Sequence, residues 1–585
     1  MPLQDWIHHW EEGAGARVLK IVVAVLAFIA VAALYDLLTA RSFSSCSAME
    51  SAQLARNLSE GKGYTTDSIR PLALYLLGGA AEPGQSSKVL AGRVPDLTSP
   101  PVYPALLAGW MKVGPFQFKA NQMWTYQPER WITVFNQALY FAALLLIFFL
   151  ARKMFDSRVA WLSAILFGGT SLFWEFSVSG LSTLWLIVIL LAVVWALLEI
   201  EARDHAAETG ADRRSVCLAL LAGLLVGVGG LSRYAFAWMI LPVVLFVGLS
   251  VTRGKGKLCV ALLAAFVVVM APWLVRNFRL SGAPFGTAGY SVLQDTPPFP
   301  GDALERSCDP RNGLKRIEPS DLMNKLTDNM SALGQDELPK LGGNWISAFF
   351  LVGLFIPFRS PALRRLRYFL IGSLILMAVA QALGRTHLSA ETPLVNDENL
   401  IVLLTPLIFI YGASFFYVMF DQVNLLNLDL RGFAVTACAA ALCAPFLVSL
   451  VVTRSPPANS PYAPLHLQMT ARLMRENELM MSDIPWAVAW YGERSCAWLS
   501  LNDDEDFFKV NAFKPIHALF LTQRTTDERY LSQIKADTKG WGHFVLESAE
   551  HGEVPSGFPL RKAPAGFLPD QFFLSDTVRW QGGFR

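Results

Sequence analysis

The chain has 585 residues, of which 53% are hydrophobic and only 16% charged, a balance too apolar for a water-soluble protein of this length. A net charge of +2 supplies no basic face, which excludes nucleic-acid binding as the main role. The apolar residues are gathered in separate blocks, and those beginning at Val18 and Leu258 approach the roughly 20 residues that cross about 30 Å of hydrocarbon.

Eleven spans are predicted, near 18–37, 131–150, 158–175, 181–199, 215–231, 235–252, 258–275, 344–358, 367–383, 399–420 and 432–453. The fold class is therefore mainly α, a polytopic transmembrane helical bundle. Cationic short loops stay in the cytoplasm. Those holding Arg152, Lys153 and Arg158, then Arg203, Arg213 and Arg214, then Arg253, Lys255 and Lys257, then Arg364, Arg365 and Arg367 all fall on one side. The expectation is a multi-pass protein of the plasma (inner) membrane, with a cytoplasmic N-terminus and residues 454–585 extracytoplasmic. Arg17 and Lys20 flank the first apolar run, but no small-residue cleavage site closes it, so it reads as a retained span.

Two connections are long, 41–130 and 276–343. In the first, Met49, Ala52, Ala55 and Leu58 form one stripe and Glu50, Gln53 and Asn57 lie elsewhere, predicting an amphipathic helix on the membrane surface stopped by Gly61 and Gly63. Pro100 and Pro101 then open a second short helix over about 102–112. After the last span, a Pro- and Ser-rich linker leads to short apolar runs near Leu479, Cys496 and His517 that read as buried parallel strands between amphipathic helices. The predicted division is a membrane part, 1–453, and an extracytoplasmic α/β domain, 454–585. That domain lacks a Gly-rich phosphate loop, so a supporting or binding role is expected.

Of seven cysteines, Cys217, Cys259, Cys438 and Cys443 fall in spans. Cys46 and Cys308 share one membrane face and are the expected bridge, with three free thiols, Cys496 included, as the alternative. No clustered His and Cys spacing marks a metal site.

Several phrases carry a family resemblance: AQLARNLSEGKGY from Ala52, SPPVYPALLAG from Ser99, the long run from Glu129, LSRYAFAWMILP from Leu231 and PWLVRNFRLSGAPFG from Pro272. In this order the chain resembles the GT-C superfamily of membrane glycosyltransferases, in the group of protein O-mannosyltransferases and the aminoarabinose transferase acting on lipid A. The phrase from Ser482 to Leu499 is similar to external domains of bacterial relatives. The resemblance implies an inverting transferase that moves a sugar from a polyprenyl-phosphate donor to a hydroxyl acceptor at the outer face. Its partners would be membrane lipid, the lipid-linked sugar and a glycan, lipid or protein acceptor, with a divalent metal an unsupported option. The chain departs from the family in one place. Where relatives carry an acidic pair shortly before the Ala-Arg phrase, this sequence has Ser47 and Ala48, with Glu50 one turn later.

Sugar transfer needs a base for the acceptor hydroxyl and cations for the departing phosphate. Glu50 is the first candidate base, and Asp67, Asp96 and Glu175 are alternatives; an exposed Glu on such a helix is equally a solvated face residue. Arg233, Arg276, Arg385 and His387 stand at span ends and are the phosphate candidates, joined by Lys62 and Arg70, because a guanidinium fork holds two phosphate oxygens. Span-end arginines also serve as headgroup anchors. Tyr64, Asn396, Asp397 and Glu398 are candidates to line the donor groove. The competing readings are a noncatalytic scaffold that kept the fold and a transporter. The transporter is disfavoured because neither half of the chain repeats the other.

Overall fold

The computed structural model describes residues 14–39, 42–78, 92–206, 212–338, 345–354, 360–390, 392, 394–422, 428–451, 462–525, 531–551, 554–563 and 571–579. The predicted linker between the last span and the C-terminal region lies mainly outside them. Every one of the eleven predicted span positions carries helix. Seven helices, or eight counting one bent pair, are long and apolar enough to cross a membrane among the described residues. The bent pair is α6 (Ser157–Gly168) with α7 (Ser171–Val178), which turn by 57° at Gly169 and Thr170. Two further predicted spans are shorter apolar stretches, Val22–Leu38 and Tyr234–Ser250, and the eighth is the nine-residue helix Trp345–Gly353.

Packing inside the bundle uses small residues, because lipid gives helices no hydrophobic reason to associate and close approach must supply the attraction. The helix α9 (Arg213–Gly230) lies on α11 (Lys255–Ser281). A Cβ built at Gly223 would stand 2.1 Å from the Leu262 carbonyl oxygen, and one at Gly227 would meet the Val269 side chain at 2.9 Å. The Gly-xxx-Gly spacing therefore sets the distance between these two helices.

The first long loop folds as predicted in its helices. α2 (Cys46–Ser59) ends at a turn in which Gly61 and Gly63 adopt φ values of +74° and +77°, a conformation open to glycine at no steric cost. α4 (Val102–Val113) follows and packs against α2. The expectation that α2 lies with its polar face to solvent is refined, because Glu50, Gln53, Arg56 and Asn57 are buried along with the apolar stripe. What covers the polar face is α18 (Pro485–Gly492) of the C-terminal region.

That region is built on a five-stranded sheet, in the order β2 (Ser68–Ile69), β5 (Cys496–Trp498), β4 (Leu479–Ser482), β6 (Ile516–Leu521) and β7 (Phe572–Ser575). β4, β5 and β6 are parallel and buried as predicted, and β7 is antiparallel to β6. The edge strand β2 comes from the first long loop, with Ser68 opposite Cys496 and Ile69 opposite Ala497. Arg56 strengthens the junction: its guanidinium donates to the Ala489 and Trp490 carbonyls at 2.8 and 2.9 Å, satisfying carbonyls that the end of α18 leaves free. The Trp490 indole and Tyr491 hydroxyl in turn donate to Glu129 Oε1 at 3.0 and 2.6 Å.

The expected bridge is replaced by separate thiols. Cys46 and Cys308 are both free, the sulfur of Cys46 facing Ser47 Oγ and that of Cys308 facing the Pro71 carbonyl.

Candidate active site

The second turn of α2 brings Glu50 against the segment that leaves β2. Glu50 is 6% exposed, and an isolated carboxylate so buried needs a charge partner. Arg70 supplies it, with Nη2 3.0 Å from Glu50 Oε2, while Ser68 Oγ donates to Glu50 Oε1 at 3.3 Å. Arg70 is shared: its Nε contacts Glu305 Oε2 at 3.2 Å, from the second long loop. Burial pushes the Glu50 carboxyl up to about 7, Asp96 and Glu305 adding to the rise and Arg70 opposing it.

Asp96 stands beside this group. It is buried, and its Oδ2 accepts from the Thr98 and Ser99 amides at 3.1 and 2.7 Å. Burial raises its carboxyl above the usual range, against those amides, Arg70 and Arg276. Its backbone carbonyl takes Arg276 Nη1 at 2.6 Å, and the same guanidinium lies 4.6 Å from the Trp273 ring and 5.7 Å from the Tyr64 ring. Tyr64 is locked by its hydroxyl, which donates to the Ser99 and Pro100 carbonyls at 3.0 Å. Arg276 is thus held by stacking and one end of its fork, in the geometry in which arginine presents further donors to an anion.

The remaining candidates fall into distinct surroundings. Asp67 is a structural node, its carboxylate accepting from Gln53, Asn57 and Ser495 at 2.9, 3.2 and 3.1 Å. Glu175 is exposed on α7. Arg233 is buried, with Nη2 donating to Thr183 Oγ1 at 3.0 Å and Nη1 to the Asn399 carbonyl at 3.5 Å; its Nε has no hydrogen-bond partner among the described residues. Arg385 pairs with Glu337 at 3.1 Å, His387 is exposed, and Lys62 pairs with Glu60 at 2.5 Å. Asn396 caps the turn before the tenth span through the Asn399 amide at 2.8 Å. Glu398 accepts from the Thr386 amide at 2.8 Å and from its hydroxyl, and burial with Asp397 nearby lifts its carboxyl to about 8.

The structure therefore assembles Glu50, Arg70, Asp96, Tyr64 and Arg276, and leaves Glu175, Lys62 and His387 outside that group. It adds Ser68, Trp273 and Glu305, which sequence reasoning missed; only Trp273 stood within a motif that pointed here. Among the described residues no three or more His, Cys, Asp or Glu side chains are arranged to hold a metal ion.

Residues 99–275 match the model of the dolichyl-phosphate-mannose-protein mannosyltransferase family. A comparison with curated protein sequences gave no match. Among solved structures, the chain is similar to the archaeal oligosaccharyltransferase AglB from Archaeoglobus fulgidus, in complex with an inhibitory peptide and a dolichol-phosphate. The TM-score is 0.53 at 13% identity, over 90% of this chain and 72% of that one. The Archaeoglobus fulgidus enzyme tethered to an acceptor peptide gives 0.51 at 13% identity, over 92% and 72%. ArnT from Cupriavidus metallidurans bound to undecaprenyl phosphate gives 0.38 at 11% identity, over 95% and 98%.

Proposed function

We propose that this chain, which has the fold of the GT-C membrane glycosyltransferases its sequence motifs resemble, is an inverting glycosyltransferase. In this reading it moves one sugar from a polyprenyl-phosphate carrier to a hydroxyl acceptor at the outer face of the membrane. The acceptor oxygen attacks the anomeric carbon while the bond from that carbon to the phosphate oxygen breaks. The bonding pair leaves with the polyprenyl phosphate, and the acceptor proton passes to the Glu50 carboxylate. Asp96 and Tyr64 hold Arg276, which takes the charge growing on the phosphate; Arg233, a buried cation with a free Nε, is a second position for it.

The observation that carries this reading is the setting of Glu50. A general base works best with its proton affinity near the operating pH, and burial holds this carboxyl at about 7. Glu50 Oε1 accepts from the Ser68 hydroxyl at 3.3 Å, and in this reading an acceptor hydroxyl would displace it there. One observation favours the alternative of a noncatalytic scaffold: both Glu50 oxygens are already engaged, by Ser68 and Arg70.

The test is incubation of the purified protein with a panel of polyprenyl-phosphate sugars and hydroxyl acceptors. Consumption of one donor, release of polyprenyl phosphate and a product of inverted anomeric configuration are expected. Tight donor binding without turnover for any acceptor would favour the scaffold.

A further inference from the structure

The carboxylate and its cation do not stand on the membrane bundle alone. Arg70 directly follows β2, the edge strand of the C-terminal sheet, and its guanidinium carbon lies 5.9 Å from the centre of the Trp498 ring, at the end of β5. Trp498 is 2% exposed and its ring meets that of Trp486 edge-on at 5.4 Å. The second loop closes the third side. Its Glu305 carbonyl accepts from the Leu72 amide at 3.1 Å, and Arg306 donates to the Leu499 and Ser500 carbonyls at 2.7 and 2.8 Å. Three segments far apart in sequence thus meet at one guanidinium.

We propose that Trp498 is a positioning residue for the reaction, its ring holding the Arg70 guanidinium in the orientation that serves Glu50 rather than Glu305 alone. The C-terminal α/β unit is on this account part of the catalytic centre. A cation over a desolvated indole face is attracted by the ring quadrupole, and because Arg70 meets Glu50 through Nη2 and Glu305 through Nε, a turn of the fork can lose the first contact while keeping the second. The inference rests on Glu50 being the base.

The charged and titratable groups facing Glu50 are Arg70 after β2, Asp96 beyond β3 (Val94–Pro95), Glu305 of the second loop and Cys46 on its own helix. Arg70 favours the ionised Glu50, and Glu305 and Asp96 oppose it. Loss of the ring and loss of the competing carboxylate should therefore act in opposite directions.

The experiment follows the protonation of Glu50 in the full-length protein by infrared difference spectroscopy, the band being assigned by its absence in Glu50→Gln. Trp498→Leu should move the Glu50 midpoint upward and lower kcat at pH 7 about tenfold, the size of one desolvated cation–π contact. Trp498→Phe should keep the wild-type midpoint, and Glu305→Gln should move it downward. A midpoint unmoved in folded Trp498→Leu, or moved the same way in Trp498→Leu and Glu305→Gln, overturns the proposal. Because these midpoints are read without turnover, they judge the positioning of Arg70 separately from the transferase reading, which fails if Glu50→Gln retains full activity.

Discussion

Arg276 rests with its guanidinium 4.6 Å from the Trp273 ring and its Nη1 2.6 Å from the Asp96 carbonyl, so a cation at the end of α11 is tied to the loop that carries Glu50. The tie matters because a point charge alone would not fix the direction of a fork. Charged hydrogen bonds of this kind contribute about 1.5–3 kcal/mol each. Arg276→Ala should accordingly raise the donor KM or lower kcat/KM by about tenfold or more, and Arg276→Lys should restore little of it. Donor-dependent steady-state kinetics check this, and unchanged donor use would remove Arg276 from its place.

The junction between α2 and α18 is a stability determinant. Arg56→Ala leaves the Ala489 and Trp490 carbonyls without donors inside a buried interface, which should cost about 3 kcal/mol. Thermal unfolding in detergent should show a lower midpoint, and limited proteolysis should cut first near the C-terminal unit.

Within the bundle, a larger residue at Gly223 has nowhere to go. Gly223→Val would bring a Cβ to 2.1 Å from the Leu262 carbonyl, forcing α9 and α11 apart. Loss of the folded protein on size-exclusion chromatography is expected, whereas Gly248→Ala, whose nearest neighbour is the Cys259 sulfur at 3.9 Å, should be tolerated.

Much of this architecture was legible in the sequence, and the reason is that the signals are local. Hydrophobic blocks mark spans, Gly61 and Gly63 stop α2, and short apolar runs mark β4, β5 and β6. The geometry of the candidate site was legible only in part. Tyr64 and Arg276 stand in motifs, with Glu50 and Asp96 a few residues ahead of two of them, but β2 is two residues long, and the contact between Ser495 and Asp67 spans 428 residues of sequence. No periodicity can register a strand that short or a pairing that distant. The same cause explains the refined view of α2, whose polar stripe looks like a solvated face until α18 covers it. Glu305 had no distinguishing neighbours in the second loop, and Arg385 found a structural partner in Glu337.

The proton affinity of Glu50 also gives a pH signature for stability. Its folded-state value of about 7 lies above the ordinary 4.5, so the folded protein holds a proton that the unfolded chain releases. This contribution is complete below pH 4.5 and is lost as pH rises through about 7. Relative to Glu50→Gln, the wild type should lose about 3 kcal/mol across that interval. Thermal midpoints of both proteins measured from pH 4 to 8 should diverge in that direction; parallel curves would show that the carboxyl does not titrate there.

The most direct test of Glu50 as the base is single-turnover transfer by purified Glu50→Gln with a donor that the wild type consumes. A positioned base contributes about 10² to 10⁴ in rate, so the variant should bind the donor and remain folded while transferring at least about a hundredfold more slowly. Transfer at the wild-type rate would contradict the account.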